Sequence, residues 1–248
     1  MLYVSKNSIK YCLACLLTFV VTLGVSQEKE DVILVLGDEI VISSNAVNKS
    51  CGAIMTPDSS SSIIGTGFVV DSLVITASHI IKGKKNLFYL SNNLPRPYPI
   101  ELFYEIPGKD IAVLKFKENP KLGSLNLGRF EDLKMHSSVM FVGYNRSRNV
   151  LNKIASFPIR NNNGFVMDIN ELPGVTMVTT SYSSSFSGGP LFNGNGEVVG
   201  LLKTGYAMVN PKTGKGGPVA VVVSIDPLRK YLKSEGVVAD NLETDPGD

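Results

Sequence analysis

The mature part of this chain reads as a succession of short segments rich in Val, Ile and Phe, each closed by turn residues, with no long helical periodicity between them. Val32–Leu36, Glu39–Ile42, Gly67–Val70, Leu73–Thr76, Asn86–Tyr89 and Ile111–Phe116 are of this kind, as are Ser138–Val142, Val175–Thr179, Glu197–Leu202 and Val219–Val223. Asn92-Asn93, Pro107-Gly108, Asn161–Gly164, Asn193–Gly196 and Gly214–Pro218 punctuate them. Such spacing predicts an all-β sandwich or barrel, and at 248 residues such folds still form one unit. A single helix is expected near the end. There Asp226 is placed to cap it, Pro227 occupies the first helical position, Leu228, Tyr231 and Leu232 make one apolar face, and Gly236 stops it.

The first residues are of another character. Lys6 and Lys10 precede an apolar stretch from Tyr11 to Val25, and Gly24 and Ser26 form a small-residue pair before Gln27. The stretch is short for the roughly 20 residues that span a bilayer. Residues 1–26 therefore read as a cleaved secretory signal, with an uncleaved anchor as the alternative. The whole chain has 24 Lys and Arg against 22 Asp and Glu. Loss of residues 1–26 removes two of those lysines and leaves the remainder balanced, so nothing in its charge invites nucleic acid, and no membrane contact is expected beyond the signal. Cys12 and Cys15 leave with it. Cys51, then the lone cysteine, has no disulfide partner and reads as a small buried hydrophobe. With so few Cys and His, no spacing suits a zinc site, and neither metal nor organic cofactor is expected.

Histidine is scarce: only His79 and His136 are present. His136 lies between polar residues and reads as an exposed turn residue. His79 lies in Val74–Ile81 (VITASHII), just past an apolar segment and a small Thr-Ala-Ser run. Asp110 lies in Lys109–Phe116 (KDIAVLKF), at the mouth of its apolar run, and Ser187 sits in Ser183–Pro190 (SSSFSGGP). Each has a bland alternative: a satisfied histidine, a turn aspartate, a Ser/Gly-rich loop. Together they supply one candidate for each role in nucleophilic catalysis. A serine hydroxyl needs a base to take its proton, imidazole titrates near neutrality, and a carboxylate fixes the ring's tautomer. Chain order discriminates further. Both histidines precede Ser187, which excludes the α/β-hydrolase order of nucleophile, acid, histidine. A subtilisin order does not fit a β-rich chain. His79, Asp110, Ser187 is the order of chymotrypsin-type enzymes. The Lys212–Gly217 stretch fails as a phosphate loop because the required first glycine is Val209. Asn48-Lys49-Ser50 and Asn145-Arg146-Ser147 match glycosylation sequons.

Four segments in order carry a resemblance to trypsin-like serine proteases, and within them to the bacterial HtrA/Deg-type protease domain. They are GTGFVV (65–70), TASH (76–79), DIAVLK (110–115), and SGGPLFN with GEVVG (187–193 and 196–200). The resemblance covers about residues 46–235. It implies two antiparallel six-stranded β-barrels of chymotrypsin type with a short C-terminal helix, His79 and Asp110 from the first barrel and Ser187 from the second. It further implies a secreted serine endopeptidase acting on protein or peptide substrates through an acyl-enzyme, with residues 27–236 as the protease domain and 237–248 as an acidic tail. No PDZ domain is expected after it. Two departures stand out. Ser185 occupies the position where the family usually has glycine, whose N–H joins that of Ser187 in the oxyanion hole. Phe186 replaces a small polar residue at a position the resemblance leaves less constrained. A catalytically weak binding or chaperone-like module is the alternative function. The implied substrate pocket takes in Ser181, Lys203 and Gly205. It has no acidic residue in Thr180–Ser183 or Leu202–Gly205, which favours a small or medium apolar side chain over Lys or Arg.

Overall fold

The computed structural model describes residues 34–36, 39–41, 44–57, 63–144, 159–172, 174–179, 184–209 and 216–237. The signal segment, Ser181, the second sequon and nearly all of the acidic tail lie outside these residues. A two-stranded ribbon, β1 (Leu34–Leu36) and β2 (Glu39–Val41), comes first, followed by a short helix α1 (Ser44–Ser50). The first barrel comprises β3 (Cys51–Met55), β4 (Ile63–Val70), β5 (Leu73–Thr76), β6 (Leu87–Leu90), β7 (Tyr98–Glu105) and β8 (Ala112–Phe116), with the one-turn helix α2 (Ser78–Ile81) after β5. It closes in the order β3-β4-β5-β8-β7-β6. The second comprises β9 (Ser138–Tyr144), β10 (Ile159–Leu172), β11 (Val175–Thr179), β12 (Pro190–Phe192), β13 (Val198–Val209) and β14 (Gly216–Ser224), and closes as β10-β11-β14-β13-β12-β9. The last helix is α3 (Asp226–Ser234). The pairing between named strands is antiparallel throughout. The expected pair of six-stranded barrels with a C-terminal helix is what forms. No described helix is long and apolar enough to cross a membrane.

Alternation explains the cores. Ile54, Val69, Val74, Tyr89, Ala112 and Leu114 fill the first barrel, and Val139, Phe141, Val166, Val178, Leu191 and Val222 the second. Residues from both barrels, among them Phe68, Ile75, Val113, Met140, Val142 and Phe192, form a third cluster with Leu228 and Leu232 of α3. The segment joining the barrels is stitched to each. Leu125 N–H donates to Val69 C=O at 2.9 Å and Gly128 N–H to Val198 C=O at 2.9 Å.

Two details depart from the sequence reading. Asn161–Gly164 is not a turn. It runs inside β10, paired with Met140–Val142 and then Val139 of β9. The backbone ladder there outweighs the local bonding for which Asn is favoured in turns. The cap of α3 is Ile225, and Asp226 is already helical. Its carboxylate accepts from Ser224 Oγ at 2.9 Å and from the Phe130 N–H at 3.2 Å, tying the helix to the 3₁₀ turn at Phe130–Asp132. Gly236, with φ of +67°, ends the helix as expected.

Leu191 has no exposed surface and stands in the second core. Leu191→Ala is expected to lower unfolding free energy by about 2–5 kcal/mol, the range for leucine deletion in a packed core, with a reduced denaturant midpoint as the readout.

Candidate active site

His79 is the second residue of α2, and Asp110 lies in the turn between β7 and β8. β5 and β8 are paired along their whole length, with Thr76 opposite Ala112, so the two segments that follow and precede them emerge side by side. Asp110 then holds His79 at two points. The His79 backbone N–H donates to Oδ1 at 2.9 Å, and ring Nδ1 lies 2.7 Å from Oδ2. With Nδ1 protonated, the ring donates this bond and presents Nε2 as an acceptor. The imidazole is 45% exposed and the carboxylate 12%. Burial by itself would raise the Asp110 pKa. The bonds from the His79 ring and backbone, the charge of His79 and the nearby Lys203 ammonium outweigh it and hold the carboxyl below its ordinary value of 3.8.

Ser187 follows a 3₁₀ turn at Ser184–Phe186 and precedes β12. The backbone here threads between the barrels. Gly188 has φ of +82°, and a Cβ on it would lie 2.3 Å from both Thr66 C=O and Thr76 Oγ1. A Cβ on Gly189 would lie 2.2 Å from Val142 C=O. The two glycines after Ser187 are thus dictated by close backbone approach and, at Gly188, by a left-handed conformation. Gly188 N–H donates to Leu202 C=O at 2.8 Å, and Leu202 N–H to Gly189 C=O at 2.9 Å, fixing the loop to β13.

Thr66 fixes it to the first barrel. Its N–H donates to Ser187 C=O at 2.9 Å, and its hydroxyl donates to Ser185 C=O at 2.8 Å. The same oxygen accepts the Tyr144 N–H at 3.0 Å. Thr76 Oγ1 in turn donates to Thr66 C=O at 2.7 Å. All of these groups are buried. Thr66 escaped notice in the sequence, where it is only the residue between Gly65 and Gly67. Phe186 also corrects an expectation. It is not at a loosely constrained position but 3% exposed, in the core of the second barrel, with its ring over the bare face of Gly143.

Ser187 itself is buried, and its Oγ donates to Lys203 C=O at 3.2 Å. Among the described residues it makes no hydrogen bond to His79. The residues just before it, Ser184–Phe186, form a single 3₁₀ turn in the segment where an oxyanion hole is expected. Lys203 and Gly205 both lie on β13, the lysine exposed and the glycine paired with Ala220. Ser181 falls outside the described residues. His136 stands in a turn at φ of +64°, exposed, with its N–H bonded to Val166 C=O. Cys51 is fully buried, and burial pushes its thiol pKa far up, as for an inert core residue.

Replacing Thr66 with Val removes the hydroxyl and keeps the shape. The Tyr144 N–H and Ser185 C=O then lose a buried partner, so Thr66→Val is expected to cost about 2–4 kcal/mol in denaturation, and Thr66→Ser to restore most of it. Asp110 gives a pH signature. A carboxyl lowered by folding contributes its full stability above the unfolded pKa and loses it as pH falls through the folded one. Urea midpoints should therefore decline below about pH 3.8 in the wild type, and more gently in Asp110→Asn.

Residues 65–201 match the profile of the trypsin-like peptidase domain. The chain is 30% identical over 184 residues to a probable periplasmic serine endoprotease, DegP-like, of Hahella chejuensis, covering 70% of this chain and 36% of that protein. It is 30% identical over 142 residues to serine protease HTRA1 of Xenopus tropicalis, covering 55% and 30%. The chain thus spans about a third of the length of these curated relatives. Among solved structures, the MamO protease domain of Magnetospirillum magneticum in its apo form superposes with a TM-score of 0.56 at 20% identity, over 75% of this chain and 97% of that one. That likeness concerns the fold alone; the peptidase profile covers more than half of the chain, including His79, Asp110 and Ser187. The chain belongs to the trypsin-like peptidase domain family, with relatives of the HtrA and DegP type.

Proposed function

We propose that this protein is a secreted serine endopeptidase that cleaves peptide bonds with Ser187 as nucleophile, His79 as general base and then acid, and Asp110 as the group that orients the imidazole. The observation that carries the reading is the two-point bond between Asp110 and His79, at 2.9 and 2.7 Å, together with a serine loop whose next two positions sterics oblige to be glycine. In this mechanism the Ser187 hydroxyl exchanges its bond to Lys203 C=O for one to His79 Nε2. Oγ then attacks the scissile carbonyl carbon as its proton passes to Nε2. The tetrahedral adduct collapses by breaking the C–N bond, and His79 gives that proton to the departing amine. Water, activated by the same imidazole, hydrolyses the resulting ester of Ser187 and releases the second product. The N–H groups of Ser185 and Ser187 receive the oxyanion. No metal or organic cofactor takes part in these steps. The domain is assigned to residues 27–236, with 1–26 as the export signal and 237–248 as a tail. Export agrees with the name of the Hahella chejuensis relative, which is called periplasmic.

A second reading keeps the fold and sets catalysis aside: a weak or inactive binding module of chaperone type. It is favoured by the 3₁₀ turn and by the Ser187 hydroxyl being occupied with Lys203 C=O. Purified protein treated with a fluorophosphonate and with casein separates the two. The first reading expects labelling and cleavage in the wild type, loss of both in Ser187→Ala, and a fall of about 10⁴ in kcat for Asp110→Asn. Wild type that binds casein intact, cleaves no peptide library and takes no label establishes the second.

A further inference from the structure

Beside His79 opens a cleft of about 560 Å³ that the chemistry above does not use. Three of its wall residues are lysines: Lys82 just past α2, Lys109 in the β7–β8 turn and Lys203 on β13. All are exposed, and among the described residues none has an ion-pair partner. Two acidic groups face the same space. The Asp110 carboxylate has each oxygen bonded to His79, which among the described residues leaves Glu105 as the one acidic side chain there without a partner. Three ammonium groups against two carboxylates leave a net positive cavity wall next to the imidazole. Lys115 and Lys117, by contrast, share Glu101 at 3.3 and 3.6 Å.

The strand edge says which part of a substrate enters. β12 pairs with β13 only as far as Leu201, and from Lys203 onward β13 is partnered on its other side alone, by β14. Among the described residues that leaves an open edge beginning where Ser187 Oγ sits. An extended peptide can add to such an edge by main-chain bonds, with successive side chains on opposite faces. With the attacked carbonyl at Ser187, alternation puts the side chain of the preceding residue on the face opposite the cleaved residue's own, and the cleft lined by His79, Asp110, Lys203 and Thr204 is available to receive it.

We propose that this cleft receives an Asp or Glu side chain on the substrate residue immediately upstream of the one that Ser187 acylates, held by Lys82, Lys109 and Lys203. The proposal rests on the protease reading for its geometry. It makes the protein selective for acidic positions next to the cleaved bond, apart from any preference at the bond itself. Exposed pairs are individually weak and screened by salt, so the expected selectivity is about three- to tenfold at low ionic strength and shrinks as salt is added.

The test uses fluorogenic tetrapeptides with Ala, Val or Leu at the cleaved residue and Glu, Gln or Lys before it. The proposal expects kcat/KM in the order Glu over Gln over Lys, a Glu-to-Gln ratio that falls toward one in about 1 M NaCl, where the Debye length is only ~3 Å, and a ratio near one in the double variant Lys82→Gln, Lys109→Gln. Lys82→Glu with Lys109→Glu should favour the Lys peptide. A second arm measures binding of the same peptides to Ser187→Ala by fluorescence anisotropy, which needs no turnover. Equal cleavage and equal binding of the Glu and Gln peptides overturn the proposal, while fluorophosphonate labelling of Ser187 would leave the protease reading in place. Tighter binding of the Glu peptide by a chain that never labels supports the cleft and overturns the protease reading.

Discussion

The buried hydroxyl and amide of Thr66 hold together what the rest of the site depends on. One residue of the first barrel bonds to the carbonyls of Ser185 and Ser187 and to the amide of Tyr144, all in the second. Neither barrel contains the candidate site by itself. His79 and Asp110 belong to one and Ser187 to the other, so their relation is set by whatever fixes the seam. Buried bonds do this better than apolar contact, because they are directional and costly to leave unmade. The glycines at 188 and 189 follow from the same seam, since only a residue without Cβ passes this close to Thr66 C=O and Val142 C=O. Phe186 secures the other side by burying its ring in the second core.

On this frame the two halves of the site are prepared differently. The His79–Asp110 pair is already tight, with both carboxylate oxygens engaged and the imidazole half exposed to the cleft. The serine half is held but turned aside, its hydroxyl on Lys203 C=O and its preceding backbone wound in a 3₁₀ turn. The distinction matters physically. Orienting a base by fixed bonds removes reorganisation from the proton transfer, whereas an oxyanion hole acts only when its N–H groups point at the developing charge. β13 links these features, since it receives the serine hydroxyl, anchors Gly188 and carries the lysine whose charge reaches Asp110.

Much of the architecture was legible from residue pattern. Turn residues bounded short β-branched runs, and all ten of the runs read as strands coincide with strands or overlap them. The strands that escaped notice did so for different reasons, Cys51–Met55 because its residues are buried almost throughout and leave no alternation to read. Tyr98–Glu105 carries exposed Leu102, Phe103 and Tyr104 and has Pro99 as its second residue, so its burial does not alternate cleanly. Pro190–Phe192 is too short to show a period, and the Asn-rich part of β10 has turn chemistry overridden by its ladder with β9. In the site, the types and order of His79, Asp110 and Ser187 were readable because chemistry restricts which residues serve. Thr66, Lys82 and Lys109 were not, because a threonine between glycines or a surface lysine is common and acquires meaning only from what lies across the fold.

By itself the sequence determined an all-β chain, the candidate acid, base and nucleophile and their order, and the balanced charge that follows the N-terminal segment. These depend on local composition and on the identity of single side chains. Only the tertiary structure decided that Thr66 joins the barrels, that Phe186 is a core residue, that the Ser187 hydroxyl bonds Lys203 C=O, and that three lysines converge on one cleft. Those facts are contacts between residues far apart in the chain, as from Thr66 to Ser185 across 119 positions. No local pattern encodes them, because each is fixed by the closure and packing of two barrels at once.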